Sequence, residues 1–404
     1  ASVAQALQGK IAGVYVSPAS GEPGAGAVIR IRGTGTLNNA SPLFVVDGML
    51  LDDISFVNPQ DIASIEVLKD ASSTAIYGNR GANGVIIITT KRGTTDRKAT
   101  VSLSSYYGTQ QIAKKLSLAN AAEFAEMYNE LNNSNYFADP ASLGAGTDWQ
   151  DVIFRDAPMA NAQLSVNGVW RKFNYNFSGN YFNQRGIMEE TGYDRKTARF
   201  NGEYPVLKSL KIGTNVAYSN SAGESVGGNV LGGVYRMPPV YAERDSTGDF
   251  TDPTFFGQSI GNPAADLFYK NDRRATVNRW VGTVYAEVKF LKDFTFRTNY
   301  GFDRHDGRFY YFEPEFMVSS SQLNNLERTT RDTAKERVWL WENTINYNKE
   351  WSDLRLNLLA GQTAQEYTFN RRNTINDILQ PNGETINEWA MTSFLFRANA
   401  TLFD

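Results

Sequence analysis

Phe173-Asn-Tyr-Asn-Phe-Ser-Gly-Asn-Tyr181 decides the fold. Every odd position is aromatic or glycine and every even position is Asn or Ser, which is the two-residue repeat of a strand presenting opposite faces to different surroundings. The same alternation recurs at Asn161 to Val169, Lys211 to Asn220, Trp280 to Phe290, Phe294 to Asp303, Trp339 to Tyr347, Leu354 to Gln362 and Phe394 to Thr401. Weaker versions run through Thr100 to Thr109 and Arg195 to Tyr204, so ten strands are expected.

The links between these strands sort by length. Gly168 to Lys172, Pro205 to Leu210, Leu291 to Asp293 and Asn348 to Trp351 are short. They alternate with long stretches at Gln110 to Ala160, Asn183 to Asp194, Ser221 to Arg279, Arg304 to Lys335 and Thr363 to Thr392. Short turns at one end and long loops at the other are the organisation of an outer-membrane barrel, whose strands cross with about 9–11 tilted residues. Phe173, Tyr175, Phe177, Gly179 and Tyr181 then face lipid, as do Phe294, Phe296, Thr298, Tyr300 and Phe302. Thr295, Arg297, Asn299, Gly301 and Asp303 face water, since a lipid-facing Arg at the midplane costs about 2–4 kcal/mol. The competing architecture is a soluble β-sandwich, which also alternates but buries its apolar face.

Composition agrees with this reading. Of the aromatic residues only Tyr15, Phe44, Phe56 and Tyr77 precede Lys91, and all seven tryptophans follow it. The longest aliphatic run, Val85 to Ile88, is far too short for a membrane helix. With no cysteine and one histidine, disulfides, thiolate chemistry and multi-histidine metal sites are excluded. A net charge of -3 with scattered signs leaves no basic footprint for nucleic acid.

Ahead of Lys91 the chain reads as a small α+β unit. Ser2 to Lys10 forms a short helix, Ala27 to Arg32, Leu43 to Val46 and Ser64 to Lys69 form strands, Ser72 to Tyr77 is helical, and Val85 to Thr90 is a β-branched strand. The unit is too small for a large core and is expected to lean on its neighbour. The domains are residues 1–93 and 94–404, with the seam near Arg92 to Arg97.

The segment from Asn58 to Gly93 resembles the plug signature of TonB-dependent outer-membrane transporters, with Asp61, Glu66 and Tyr77 inside it. Lys69-Asp70-Ala71 and Arg80-Gly81-Ala82-Asn83-Gly84 are similar to the SusC/RagA branch. So are Ile29-Arg-Ile-Arg-Gly33, Phe44-Val-Val-Asp-Gly48, Thr147-Asp-Trp-Gln-Asp151, Ala157-Pro-Met159 and Asn183-Gln-Arg-Gly-Ile187. The implied fold is a membrane all-β barrel, about ten of an expected 22 antiparallel strands being present, with a small α+β plug. The chain would be an incomplete piece lacking the signal peptide, the TonB-contacting segment and the rest of the barrel, because an open sheet edge is not tolerated in lipid.

The resemblance further implies TonB-dependent import of an oligosaccharide or oligopeptide, with no catalysis and no cofactor or metal. The setting would be the outer membrane of a Bacteroidota-type cell, in contact with lipid and lipopolysaccharide. The partners would be TonB and a SusD-like surface lipoprotein acting as lid. By analogy the plug loops Thr34 to Ser41 and Asn79 to Asn83 face the substrate chamber, with Asn38, Asn39, Asn79, Arg80 and Asn83 the residues to contact cargo. The alternative class is a non-transporting β-rich adhesin or carbohydrate-binding protein.

Several residues invite narrower readings. Gly78, Gly81 and Gly84 stand where a helix reverses into a strand, where φ > 0 or close backbone approach is needed. Arg30 and Arg32 share a strand face, and ion pairs from them to Asp47, Glu66 or Asp70 would hold the plug in the wall; the alternative is solvated charge. Gly21-x-x-Gly24-x-Gly26 and Gly33-x-Gly35 lack the strand-to-helix context of a phosphate loop. Asp52-Asp53 and Glu189-Glu190 read as loop charge, and His305 as surface polarity at the lip of an outer loop. The helix expected over Asn120 to Leu131 reads as packing on barrel rim or loops, and the aromatic stretches Asp252 to Phe256 and Arg308 to Phe312 as loop cores or interfacial girdle residues, the alternative being stacking on sugar rings or cover for a partner.

Overall fold

The computed structural model describes residues 3–33, 40–93, 99–256 and 260–402. Its N-terminal unit runs α1 (Val3–Leu7), β1 (Val14–Pro18), β2 (Ala27–Ile31), β3 (Leu43–Val46), β4 (Met49–Leu51), β5 (Ile62–Leu68), α2 (Ala71–Thr74) and β6 (Val85–Thr90). Strands β1 and β2 pair as a hairpin, while β4-β3-β6-β5 form a mixed sheet in which β3 and β6 are parallel. Those two central strands are the continuous apolar runs Leu43–Val46 and Val85–Ile88, as expected of strands covered on both faces. Strands β1 and β4 were not legible, being short and bounded by Gly13, Pro18 and Gly48.

The helix expected over Ser72 to Tyr77 is only partly formed. It is α-helical to Thr74, tightens into 3-10 turns over Ala75–Gly81, and breaks at Gly78, whose φ is 58°. The hydroxyls of Ser73 and Thr74 donate back to the Asp70 carbonyl, at 2.8 and 3.2 Å, competition that shortens helices.

The remainder is one ten-stranded antiparallel sheet. Its strands are β7 (Thr100–Gln110), β8 (Ala157–Trp170), β9 (Phe173–Arg185), β10 (Gly192–Pro205), β11 (Leu210–Ser225), β12 (Arg273–Phe290) and β13 (Phe294–Glu313). After a small ribbon, β14 (Phe316–Met317) and β15 (Leu323–Asn324), it continues through β16 (Arg328–Glu350), β17 (Leu354–Ile375) and β18 (Ile378–Leu402). Each strand pairs with its predecessor in the sheet.

The faces are inverted relative to a soluble protein. Asn176, Ser178, Asn180, Asn201, Asn215 and Asn299 are buried, whereas Phe177, Tyr181, Trp280, Tyr300, Trp341 and Phe394 are 44–79% exposed. A soluble sandwich would do the reverse, so this face requires lipid.

Link lengths need correction in three places, one being the expected loop Arg304 to Lys335, which shrinks to 314–327 because β13 runs to Glu313 and β16 starts at Arg328. The turns at 171–172, 206–209, 291–293 and 351–353 are short, and 111–156 and 226–272 are long. The expected loop Thr363 to Thr392 is instead strand on both sides of a turn at 376–377, and Asn183 to Asp194 shrinks to 186–191. Beyond the bilayer both faces of a strand meet water, so the aromatic alternation that reveals a strand is lost. The cross-strand pair of Arg371 with Asp332 supports one such extension.

The long links build their own core. Helix α3 (Ala121–Leu131) starts at a capping box of Asn120 and Glu123. Asp148 caps α4 (Trp149–Ile153) and buries Trp149 against α5 (Val230–Arg236) and α6 (Pro263–Tyr269), with Trp149 Nε1 donating to the Pro238 carbonyl at 3.2 Å. Phe256 packs edge-on to Phe124, Tyr128 and Tyr241 at 5.0–5.4 Å, so the Asp252 to Phe256 stretch is a loop core. Phe309 to Phe312, in contrast, belong to β13.

Candidate functional site at the plug and wall seam

The small unit packs on the polar face of the sheet. Its core, with Phe44, Met49, Phe56, Ile86 and Ile88, is completed by Ala217, Val281 and Leu340 of the wall. Its polar contacts reach from Gln60 on Ser104 of β7 to Arg80 on Gln365 of β17, so the wall curves around it. It is therefore a plug.

The ion pairs across the seam run opposite to the expected direction. Arg32 pairs with Asp70 at 2.7 Å, but both are more than half exposed and both belong to the plug. Lys69 donates to the Ala12 carbonyl, again within the plug, and Arg30 donates to the Ile29 carbonyl and Ser41 Oγ. Glu66 is exposed and has no ion pair among the described residues. Arg199 and Arg279 of the wall bridge to carboxylates of the plug, while Arg92, at the end of the plug, bridges the other way to Glu203 of β10 at 3.8 Å.

Arg199 of β10 places Nη1 3.2 Å from Asp47 Oδ2 and Nε 3.8 Å from Asp61 Oδ2, with all three side chains buried. Asn58 donates to Gln163 Oε1 at 2.6 Å, and Gln163 donates to Asp61 Oδ1 at 2.8 Å. Burial pushes the Asp61 carboxyl above the usual carboxylate range, against the pull of the Ser178 hydroxyl and the Arg199 guanidinium. Asn201 donates to Thr90 Oγ1 at 3.0 Å. Arg279 of β12 grips Asp303 through Nε and Nη2, at 3.0 and 2.7 Å, and reaches Asp53 Oδ2 with Nη1 at 3.1 Å. Asp53 is thus a docking residue and more than loop charge, whereas the side chain of Asp52 is 87% exposed.

The glycines of the motif act for different reasons. Gly78 and Gly84 have φ of 58° and 90°, and a Cβ on Gly84 would lie 2.7 Å from Ile31 Cδ1. Gly81 is needed for space, its Cβ position being 3.0 Å from the Thr74 carbonyl. Asp47 and Gly48 form the two-residue turn joining β3 to β4, with φ of 48° and 91°. This is the type I′ hairpin that Asp-Gly favours. Arg32 and Gly33, at the end of β2, also have positive φ. Tyr77 packs on the second face of the plug sheet beside Leu43, Val45 and Val85.

Above Asp52 and Asp53 a cavity of about 880 Å³ opens between plug and wall. Its lining includes Arg80, Arg279, Asp303, His305, Glu336 and Tyr367. Arg80 donates to Gln365 Oε1 at 2.8 Å, and Tyr367 stacks with Trp389 at 5.4 Å. His305 is half-buried within β13 and faces this space, correcting its reading as surface polarity: the strand extends past the expected loop boundary. Asn79 is exposed, Asn83 donates to the Ser41 carbonyl, and Asn38, Asn39 and Gly35 lie outside the described residues. The residues missed from sequence are Arg195, Arg199, Gln163, Asn201 and Arg279. Their signal was available, as polar groups at alternate positions opposite the aromatics, but their plug partners were not.

Comparison with known proteins agrees with this geometry. The family model described as TonB-dependent Receptor Plug Domain matches residues 1–85. TonB-dependent receptor P3 of Formosa agariphila is 36% identical over 90% of this chain, which spans 36% of that protein. TonB-dependent receptor SusC of Bacteroides thetaiotaomicron is 36% identical over 74% of this chain and 33% of its own length. The RagAB peptide transporter superposes over 99% of this chain and 52% of its own, with a TM-score of 0.83 at 25% identity. The chain thus spans about a third of its curated relatives and half of the RagAB chain. Plug and wall together identify it as a TonB-dependent receptor of the SusC/RagA type, from the outer membrane of Bacteroidota-type bacteria.

Proposed function

We propose that the whole protein actively imports a nutrient of oligosaccharide or oligopeptide class across the outer membrane. TonB would pull on the plug, and a SusD-like lipoprotein would act as lid over the long links. The carrying observation is the seam: apart from the apolar patch at Ala217, Val281 and Leu340, the plug is held by hydrogen bonds and ion pairs to a polar wall, contacts that water can replace when the plug moves. A seam of interlocked apolar side chains would offer no such exchange.

The cavity lined by Arg80 supports a cargo chamber, and the family resemblance extends the cargo-contacting set to Asn38, Asn39, Asn79 and Asn83. The plug domain is assigned to residues 1–93 and the barrel portion to 94–404. The likeness to a peptide transporter favours the oligopeptide branch. The test is uptake of labelled oligopeptides and oligosaccharides by cells carrying the full-length receptor, with and without TonB. Energy-dependent uptake that falls when all five plug residues become alanine supports the reading; uptake and affinity indifferent to those changes removes the site assignment, and no uptake in any arm removes the function.

A further inference from the structure

We infer that a second cavity, on the other side of Asp52 and Asp53, binds a carboxylate-bearing small ligand anchored by Arg195. The cavity holds about 420 Å³ and lies between the β1–β2 hairpin of the plug and strands β9 and β10. Arg195, on β10, lines it and is only 5% exposed. Its Nη1 donates to the Ser55 carbonyl at 2.8 Å, while its Nε is buried with no acceptor. Among the described residues no carboxylate pairs with it.

That isolation sets it apart from the two other buried arginines of the seam. Arg199 and Arg279 each hold carboxylates, at 3.2 Å and 2.7 Å. A buried guanidinium with no counterion in contact is costly, because its desolvation is offset only by the more distant charge of Asp61, which Arg199 and Gln163 already engage. The ring of Phe182, 5.9 Å from the Arg195 guanidinium carbon, covers one side without supplying an anion. The Arg195 side chain lines the cavity.

The rest of the lining suits an anion. Arg30 enters from the plug and makes no ion pair among the described residues, so two guanidinium groups converge on one space. Of the carboxylates that also line it, Asp53 is committed to Arg279, Asp52 lies 3.8 Å from Arg80, and Glu22 is exposed. A planar guanidinium with free N–H groups matches the two oxygens of a carboxylate in a bidentate arrangement. Occupancy would tie the first plug hairpin to the wall. This site does not depend on the import reading.

The full-length receptor in detergent tests it by calorimetry and thermal unfolding with glutarate, against its neutral isostere glutaramide at matched ionic strength. Glutarate is expected to bind and raise the unfolding temperature, and glutaramide to do neither. Arg195→Gln is expected to weaken glutarate by about tenfold or more, the loss of a charge-assisted contact. Arg30→Gln, on the plug side of the cavity, gives a smaller loss in the same direction and serves if Arg195→Gln does not fold. Equal behaviour of glutarate and glutaramide, no binding by the wild-type receptor, or wild-type affinity in both variants overturns the proposal.

Discussion

Asp47 Oδ2 lies 3.2 Å from Arg199 Nη1 across the seam, with the two side chains 3% and 6% exposed. Asp47 also accepts from the Thr90 N–H at 2.9 Å and from Thr90 Oγ1 at 2.6 Å, so one carboxylate ties the β3–β4 turn, β6 and β10 together. Arg199→Ala leaves Asp47 and Asp61 buried without their cation and is expected to weaken plug docking by about 3–5 kcal/mol. Asp47→Asn keeps a residue suited to the I′ turn but removes the charge and one of the two acceptor oxygens, so its effect reports the ion pair together with a hydrogen bond from Thr90. Limited proteolysis of the plug in the full-length receptor reads both. A plug equally resistant in Arg199→Ala and wild type would show that the pair holds nothing.

Two glycines separate conformational strain from crowding. Alanine at Gly48 must adopt φ of 91° but meets only Asn299 Nδ2, at 3.5 Å from its Cβ. Strain of this kind costs about 1–3 kcal/mol. Alanine at Gly84 carries the same strain and also drives a Cβ to 2.7 Å from Ile31 Cδ1, inside the plug core. Gly84→Ala is therefore expected to lower the unfolding temperature of the plug more than Gly48→Ala, and the reverse order in a thermal melt would refute the assignment.

Asp61 gives a pH signature. Its folded-state pKa is raised by burial, so the docked plug binds a proton more readily than the unfolded chain does between the two pKa values. Docking stability from this group therefore falls as pH rises through that window. Asp61→Asn retains an oxygen to accept from Gln163 and removes the cost of ionising. It is expected to leave docking unchanged or stronger near neutral pH and to flatten its pH dependence above the ordinary carboxylate value. A steeper profile in Asp61→Asn would contradict the sign.

How much of this was legible follows from what each residue meets. Phe173 to Tyr181 announced their strand because one face meets lipid and the other Asn-rich wall, a contrast no loop produces. Beyond Thr363 the chain is equally strand-like, but water lies on both sides and the contrast vanishes. Plug strands β3 and β6 were readable as apolar runs, whereas three-residue β4 exists only because Asp47-Gly48 turns the chain back on β3. The seam was the least legible part. Nothing local to Arg195, Arg199 or Arg279 says which plug group, more than a hundred residues earlier, will lie opposite: the Ser55 carbonyl, Asp47 or Asp53. Arg30 and Arg32 drew attention by proximity in sequence, and proximity in sequence put their bonds inside the plug.

The contact between Arg80 and Gln365 allows the plug's motion itself to be tested. Nη1 of the first lies 2.8 Å from Oε1 of the second, one on the plug and one on β17. The 404 residues contain no cysteine, so a pair introduced here adds the only thiols in this region. Arg80→Cys with Gln365→Cys, joined by a short cleavable bis-maleimide, fixes this part of the plug to the wall. If cargo passes only when this contact opens, the linked receptor binds cargo but does not import it, and cleaving the linker restores uptake. Arg32→Cys with Asp70→Cys, linked in the same way, joins two parts of the plug that lie together but leaves the seam free. It is expected to spare uptake if the plug shifts as a body and to block it if the β2 end must separate from α2. Uptake at wild-type rate with the Arg80 and Gln365 positions linked would mean that cargo passes without this contact opening.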